Sequence, residues 1–281
     1  MGGFLLVNPR SGDDRPSADE LAAEAERRGV AVHVLRPGDD AAALARSADA
    51  TALGIAGGDG SLADVAAVAI ERGLAFVCVP FGTRNHFARD LGLDRDDPLA
   101  ALDAFVHGVE RPVDVGRMDG RVFLNNVSLG LYAQLVHRRE GHRRRRDALA
   151  GARALWLVAR NRDELRVTVD GEAVAARIVL VACNDYELSL FSVGERPSLT
   201  GGLLHLYTAR GWLPREWKER SAAAFTLDAA DARLPGALDG EPVVLEPPVR
   251  FEIDPRALRV LVPEEREHFA DVPEGDLAGR R

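Results

Sequence analysis

Gly54-Ile55-Ala56-Gly57-Gly58-Asp59-Gly60-Ser61 is the stretch that most limits what this chain can fold into. It closes an apolar run, Thr51 to Ala56, and opens a helical pattern, Leu62 to Glu71, so the spacing predicts a strand, a tight turn and a helix. Gly57, Gly58 and Gly60 remove side chains that would hold a backbone away from an anion, and they permit positive φ. Backbone N–H groups at such a turn, aided by the helix dipole, form an anion site. Asp59 is the odd member, because a carboxylate beside a phosphate is repelled unless a divalent cation or a hydroxyl lies between them.

The same alternation surrounds the turn. Phe4 to Val7, Val30 to Leu35 and Leu74 to Val79 read as further strands, and Ala18 to Arg28, Asp39 to Ser47 and Pro98 to His107 as helices. Ser17 caps the first helix and Gly29 ends it. Strands and helices in this order predict a doubly wound parallel sheet, with ligands beyond the carboxyl ends of its strands. Three loops fall at those ends: Asn8-Pro9-Arg10-Ser11-Gly12, the glycine turn, and Pro80-Phe81-Gly82-Thr83-Arg84-Asn85-His86. After Pro112 the pattern changes to short alternating runs. Strands are expected at Val113 to Gly116, Arg121 to Ser128, Leu165 to Val169, Val174 to Cys183, Leu203 to Thr208, Thr226 to Leu227, Val243 to Leu245, Arg250 to Ile253 and Leu258 to Val262. Leu135 to Arg160 reads as helix. The expected division is an α/β nucleotide-binding domain at 1–112, a β-rich substrate domain at 113–262 and a charged tail at 263–281.

Composition excludes several classes. A net charge of -8 argues against a general nucleic-acid binder. Lys218 is the only lysine, which removes Walker-type phosphate loops and protein kinases, since both need a lysine at a set place. Cations for an anion must then be arginines, and Arg10 and Arg84 lie in suitable loops. No apolar run approaches the ~20 residues of a membrane span, and no signal peptide is read at the N-terminus. Cys78 and Cys183 lie in apolar strand-like runs, as reduced core cysteines of a cytoplasmic protein would. Gly58-Asp59-Gly60-Ser61-Leu62-Ala63 also satisfies the dinucleotide fingerprint, but the acidic residue that should follow ~20 positions later is absent from Phe76 to Thr83.

Taken together, Asn-Pro-x-Ser-Gly after the first strand, Gly-Gly-Asp-Gly-Ser after the third and Pro-x-Gly-Thr-x-Asn after the fourth resemble the diacylglycerol kinase catalytic-domain family of lipid kinases. The resemblance continues in Val113-Asp114-Val115-Gly116, in Phe123 to Gly130 and in Asp239-Gly240-Glu241-Pro242. It implies an N-terminal nucleotide-binding α/β domain, a C-terminal antiparallel β-sandwich, and an active site in the cleft between them. ATP and Mg²⁺ are the implied cofactors, and a lipid with a free hydroxyl, such as diacylglycerol, the implied acceptor. By the same carry-over Asn8, Gly57, Gly58, Asp59, Gly60, Ser61, Gly82, Thr83 and Asn85 line the nucleotide site, Asp59 helps place the metal, and Asp239 is the general base with Glu241 nearby.

Two positions depart from the family pattern. His86 stands where the family has Asp, and Gly201 opens a Gly-Gly-Leu-Leu run where it has Asp-Gly-x-Leu. They motivate an alternative reading, an ATP-binding regulator with little kinase activity. An NAD kinase-like activity is a third reading, weakened by the first and third loops. Asp-Gly-Glu occurs at Asp170 as well as Asp239, and both read from the residues alone as hairpin turns. Arg138, Arg139 and Arg143 to Arg146 read as a solvated helix face or as contact with an anionic membrane surface, and Trp156 and Leu157 as core or a lipid groove. The sequence leaves the oligomeric state open, a homodimer included.

Overall fold

The computed structural model describes residues 2–11, 16–82, 85–130, 164–187, 195–210 and 217–264. The helix expected from Leu135 to Arg160, with its arginine block, and the tail from 265 lie outside them, as do Thr83 and Arg84.

The first half is the doubly wound sheet that its pattern predicts. Strands β1 (Gly3–Val7), β2 (Ala31–Val34), β3 (Ala52–Gly57) and β4 (Ala75–Pro80) run parallel in the order β2-β1-β3-β4. Strand alternation sends successive side chains to opposite faces. Leu5, Val7, Val77 and Val79 accordingly join one core with α1 (Ala18–Arg27) and α5 (Ala104–His107). Leu6, Leu53, Ile55, Phe76 and Cys78 join another with α2 (Ala41–Ser47) and α3 (Asp59–Arg72). Phe105 lies over Gly3 and Gly54, where an added Cβ would come within 2.3 and 2.5 Å of its ring. Helix α1 begins with a capping box between Ser17 and Glu20, a device that contributes about 1 kcal/mol.

The second half is antiparallel, in two layers. One layer is sheet order β12 (Lys218–Ala222), β11 (Leu204–Ala209), β10 (Ile178–Cys183), β7 (Asn126–Gly130), β14 (Leu234–Leu238), β15 (Glu241–Leu245). The other continues the first sheet through β16 (Val249–Pro263), β13 (Ala224–Ala229), β8 (Leu165–Val169) and β9 (Glu172–Ala176), with β5 (Gly108–Met118) paired to β16 and β6 (Arg121–Phe123) paired to β5. Val127, Val181 and Leu206 from one layer meet Phe225, Phe251 and Val169 from the other in a shared core, the expected β-sandwich.

Several expected elements are redrawn. The run Val174 to Cys183 is two strands, β9 and β10, in different sheets, because the chain crosses between layers at Arg177. Arg121 to Ser128 breaks into β6 and β7, since the N–H groups of Leu124, Asn125 and Asn126 turn to the Asp239 carboxylate. The two final runs are one strand, β16, whose register shifts between Asp254 and Leu258. The helix expected from Pro98 starts at Ala100 as a 3-10 turn and becomes α5 only at Ala104. Strands β12 and β14 and the short helix α4 (His86–Asp90) were not anticipated; β12 is mostly exposed and polar, and β14 carries Pro235 and Gly236, so neither shows a strand pattern. Cys78 and Cys183 are free and buried, and burial raises both thiols, that of Cys183 to about 12.

Candidate functional site

The carboxyl ends of β1, β3 and β4 bring the three predicted loops together. Asn8 follows β1, its N–H donating to Ala56 O at 2.9 Å, and its Oδ1 accepts from Arg10 N at 3.1 Å. Phe81 N donates to Gly57 O at 3.2 Å, which ties the β3 and β4 loops. A Cβ on Gly82 would stand 2.5 Å from Gly58 Cα, so those two loops touch at the backbone and admit no side chain there.

The glycines of the turn provide room rather than positive φ: none of Gly57, Gly58 and Gly60 takes the left-handed conformation. Ser61 Oγ occupies the space a Gly57 side chain would need, at 2.1 Å, and itself donates to Gly58 O at 2.8 Å. Glu241, the first residue of β15, occupies the space beside Gly60, where a Cβ would lie 2.3 Å from its Oε1. Gly58 alone leaves its face open, the nearest atom being Gly82 Cα at 3.8 Å. Gly58 is also the N-cap of α3, a 14-residue helix with no side-chain cap hydrogen bond among the described residues. An open backbone at the positive end of a helix is a fit for a phosphate.

The Asp59 carboxylate is engaged by the start of α4. Its Oδ2 accepts from His86 N at 3.1 Å and its Oδ1 from Phe87 N at 3.0 Å, so it caps α4. The cap uses the backbone of residue 86 and not its side chain. Asn85, in the left-handed region at φ 47°, donates from Nδ2 to Gly82 O at 2.6 Å, and its Oδ1 is buried with no hydrogen-bond partner among the described residues. A carbonyl oxygen left over in a loop whose N–H groups hold the Asp59 carboxylate suits a hard cation or a donor on a ligand.

Asp239 lies deeper, 5% exposed, at the β14–β15 turn. Its Oδ1 accepts from Asn125 N at 2.8 Å and Asn126 N at 3.0 Å, and its Oδ2 from Leu124 N at 2.7 Å. A carboxylate offers about four lone-pair positions, so one remains, on Oδ2. Burial pushes the carboxyl up to about 6, against the pull of the three backbone donors and with the nearby charge of Asp59 adding to the rise. Glu241, two residues on, is exposed.

Asn8, Arg10, Gly57 to Ser61, Gly82, Asn85, Asp239 and Glu241 are thus gathered from both halves of the chain, while Thr83 and Arg84 lie outside the described residues. At the second departure from the family pattern, Gly202 N donates to Asp114 Oδ2 at 2.7 Å. There the buried Asn184 Oδ1 stands 2.9 Å from where a Gly201 Cβ would be. Sequence reading passed over Asn125, whose Nδ2 reaches Asp59 Oδ1 at 3.3 Å while its backbone N–H holds Asp239. One residue therefore spans the two carboxylates, with its side-chain amide on Asp59 and its backbone N–H on Asp239. Its signal was faint: an Asn-Asn pair inside a run that otherwise reads as strand.

Residues 3–118 match the family model described as the diacylglycerol kinase catalytic domain, so the resemblance read from the motifs stands. The chain is 30% identical over 142 residues to the diacylglycerol kinase of Bacillus subtilis (strain 168), covering 47% of each. It is 34% identical over 122 residues to that of Mycobacterium tuberculosis (strain ATCC 25618 / H37Rv), covering 40% of this chain and 39% of the relative. These matches span about half or less of the curated relatives' length. The fold extends further: a solved diacylglycerol kinase structure from Bacillus anthracis str. Sterne superposes with a TM-score of 0.67 at 16% identity, covering 93% of this chain and 96% of that one.

Proposed function

We propose, from the match of residues 3–118 to the diacylglycerol kinase catalytic-domain model, that this chain is an ATP-dependent lipid kinase transferring the γ-phosphate of ATP to a hydroxyl of a lipid of the diacylglycerol class. The observation that carries the proposal is the placing of Glu241, from the antiparallel half, against Gly60 at the start of α3. Phosphoryl transfer needs anion binding on one side of the reacting phosphorus and a proton acceptor on the other. A carboxylate beside a phosphate-binding helix start supports both needs within one contact.

In this reading the backbone at Gly58 and the leading N–H groups of α3 hold phosphate oxygens, and Asn8 and Asn85 line the nucleotide. Arg10 is the described cation of the loops. A divalent cation, Mg²⁺ in this proposal, would be held by Asp59 together with the unpartnered Asn85 Oδ1, and when bound it would offset phosphate charge. We assign the proton acceptor to Glu241 rather than to Asp239. Asp239 is buried and has one lone pair left, whereas Glu241 is exposed to an incoming hydroxyl. Asp239 then holds the β14–β15 turn from which Glu241 projects. The division at 112/113 is kept as part of this proposal, the nucleotide on the first side and the acceptor on the second.

Among the described residues no helix is long and apolar enough to cross a membrane, and this reading has the chain meet its lipid at a membrane surface. The test is an incubation of purified protein with ATP, Mg²⁺ and diacylglycerol, ceramide or sphingosine, with product mass measured. Phosphorylated diacylglycerol from wild type and its loss in Glu241→Gln are expected. Product that persists undiminished in Glu241→Gln would remove the assigned role, and no product on any acceptor would remove the activity.

A further inference from the structure

Arg196 enters the described structure from the segment 195–203 and is sealed: its side chain and that of Asp90 are both 0% exposed. Its Nε donates to Asp90 Oδ2 at 2.6 Å, its Nη1 to Leu124 O at 2.6 Å and Cys183 O at 3.2 Å, and its Nη2 to Asn125 Oδ1 at 2.9 Å. The guanidinium carbon also stands 5.9 Å from the centre of the Phe87 ring and 5.5 Å from that of Tyr186. Four of its five N–H groups are thus committed, in a fork that only arginine has.

A buried ion pair is not a cheap source of stability, because desolvation of the two charges offsets their attraction. What this one does is fix an orientation. With Asn125 Oδ1 turned to the guanidinium, Asn125 Nδ2 must point to Asp59 Oδ1. A flipped amide would set NH₂ against the cation and oxygen against the carboxylate. The contacts close a ring: α4 carries Asp90, Asp90 holds Arg196, Arg196 holds Asn125, Asn125 reaches Asp59, and Asp59 caps α4 through His86 and Phe87 N–H. The backbone of Asn125 is at the same time a donor to Asp239.

We propose that Arg196 is a positioning residue: through Asn125 it sets the separation between the phosphate turn at Asp59 and the Asp239 turn that carries Glu241. The proposal rests on the lipid-kinase reading for its effect on turnover, though not for the network itself. Misplacing reacting groups by about 1 Å can cost on the order of 100-fold in rate, which is the scale at stake.

The experiment compares wild type with Arg196→Lys, Asn125→Asp and the double variant, measuring kcat, KM for ATP and thermal midpoint, and titrating the Asp239 carboxyl by NMR. Lysine keeps the charge but cannot hold Asp90 and Asn125 together. Asn125→Asp keeps an acceptor for Arg196, so the fold is held, but it replaces the donor to Asp59 with a like charge. Each single variant is expected to lower kcat roughly tenfold to 100-fold with KM for ATP changed less than about threefold, and the double to be no worse than the weaker single. The Asp239 titration should move upward in each. Asn125→Asp carries the test alone should Arg196→Lys not fold. Additive losses, a fall in kcat that only follows the thermal midpoint, or an unmoved Asp239 titration would overturn the proposal. A wild type with no turnover but with the shifted titrations would overturn the kinase reading and leave the network standing.

Discussion

At Asp170-Gly171 and at Asp239-Gly240 the chain reverses between antiparallel strands with φ of 52° and 81° in the first case and 48° and 85° in the second. In each, the aspartate N–H donates to a carbonyl on a neighbouring strand, Thr226 O or Asn126 O, and Oδ1 accepts that same residue's N–H. Glutamate follows in both. The first turn lies in the open, and its two acids face Arg220 at 3.4 and 3.1 Å. The second is buried, takes two further N–H groups from the break between β6 and β7, and sends its glutamate to Gly60. Asp-Gly-Glu therefore writes a turn. The site is written by what the rest of the fold sets against it.

That contrast can be broken by experiment. Asp239→Ala should have the largest effect, because it leaves buried donors without an acceptor at about 1–3 kcal/mol each. We expect stability to fall by about 3 kcal/mol or more in denaturant unfolding and lipid phosphorylation to vanish, while Asp170→Ala loses about 1 kcal/mol or less because water replaces its carboxylate. Equal losses would mean that burial does not separate the turns. Glu241→Gln should reduce turnover roughly 100- to 10,000-fold at an unchanged unfolding midpoint, the range for a lost general base, and Glu172→Gln should alter neither.

A smaller effect is one of pH. The carboxyl of Asp239 is raised from 3.8 to about 6, so its contribution to stability is complete below the lower value and is lost as pH rises through the upper one. Measured as the difference in thermal midpoint between wild type and Asp239→Asn, the margin of wild type should be greater near about pH 5 than near about pH 8. Asp170→Asn gives the baseline for an exposed member of the pair. A margin that grows with pH would reverse the sign of the burial argument.

Much of the first half could be read directly, since β1, β3 and β4 are continuous apolar runs and α1 has both its cap and its Gly29 stop in the sequence. The turn at Gly57 was expected to use positive φ, but its glycines instead serve close approach by Ser61, Gly82 and Glu241, and Gly58 alone keeps an open face. What escaped was everything decided by distant neighbours. Lys218 to Ala222 is a strand because it pairs with Leu204 to Thr208, not because its residues alternate. Nothing around Glu195-Arg196-Pro197 announces a buried cation, because its partners Asp90, Leu124 and Asn125 lie 71 to 106 positions away. Asp59 read as a metal ligand on local grounds, and its capping of α4 depends on where the β4 loop comes to rest.

Strand β16 has a consequence for how such a chain is made. Val260 and Leu261 lie beside Phe76 and Val77 on β4, and the same strand pairs with β5 along most of its length. A ribosome will have released the whole N-terminal half long before this strand emerges. Until then the fully buried strand β4 has a bare flank, with backbone groups ready to pair with any passing extended segment. Contacts of such long sequence separation also form late and slowly. A fragment ending near residue 118, lacking β16, should therefore aggregate where the full chain does not.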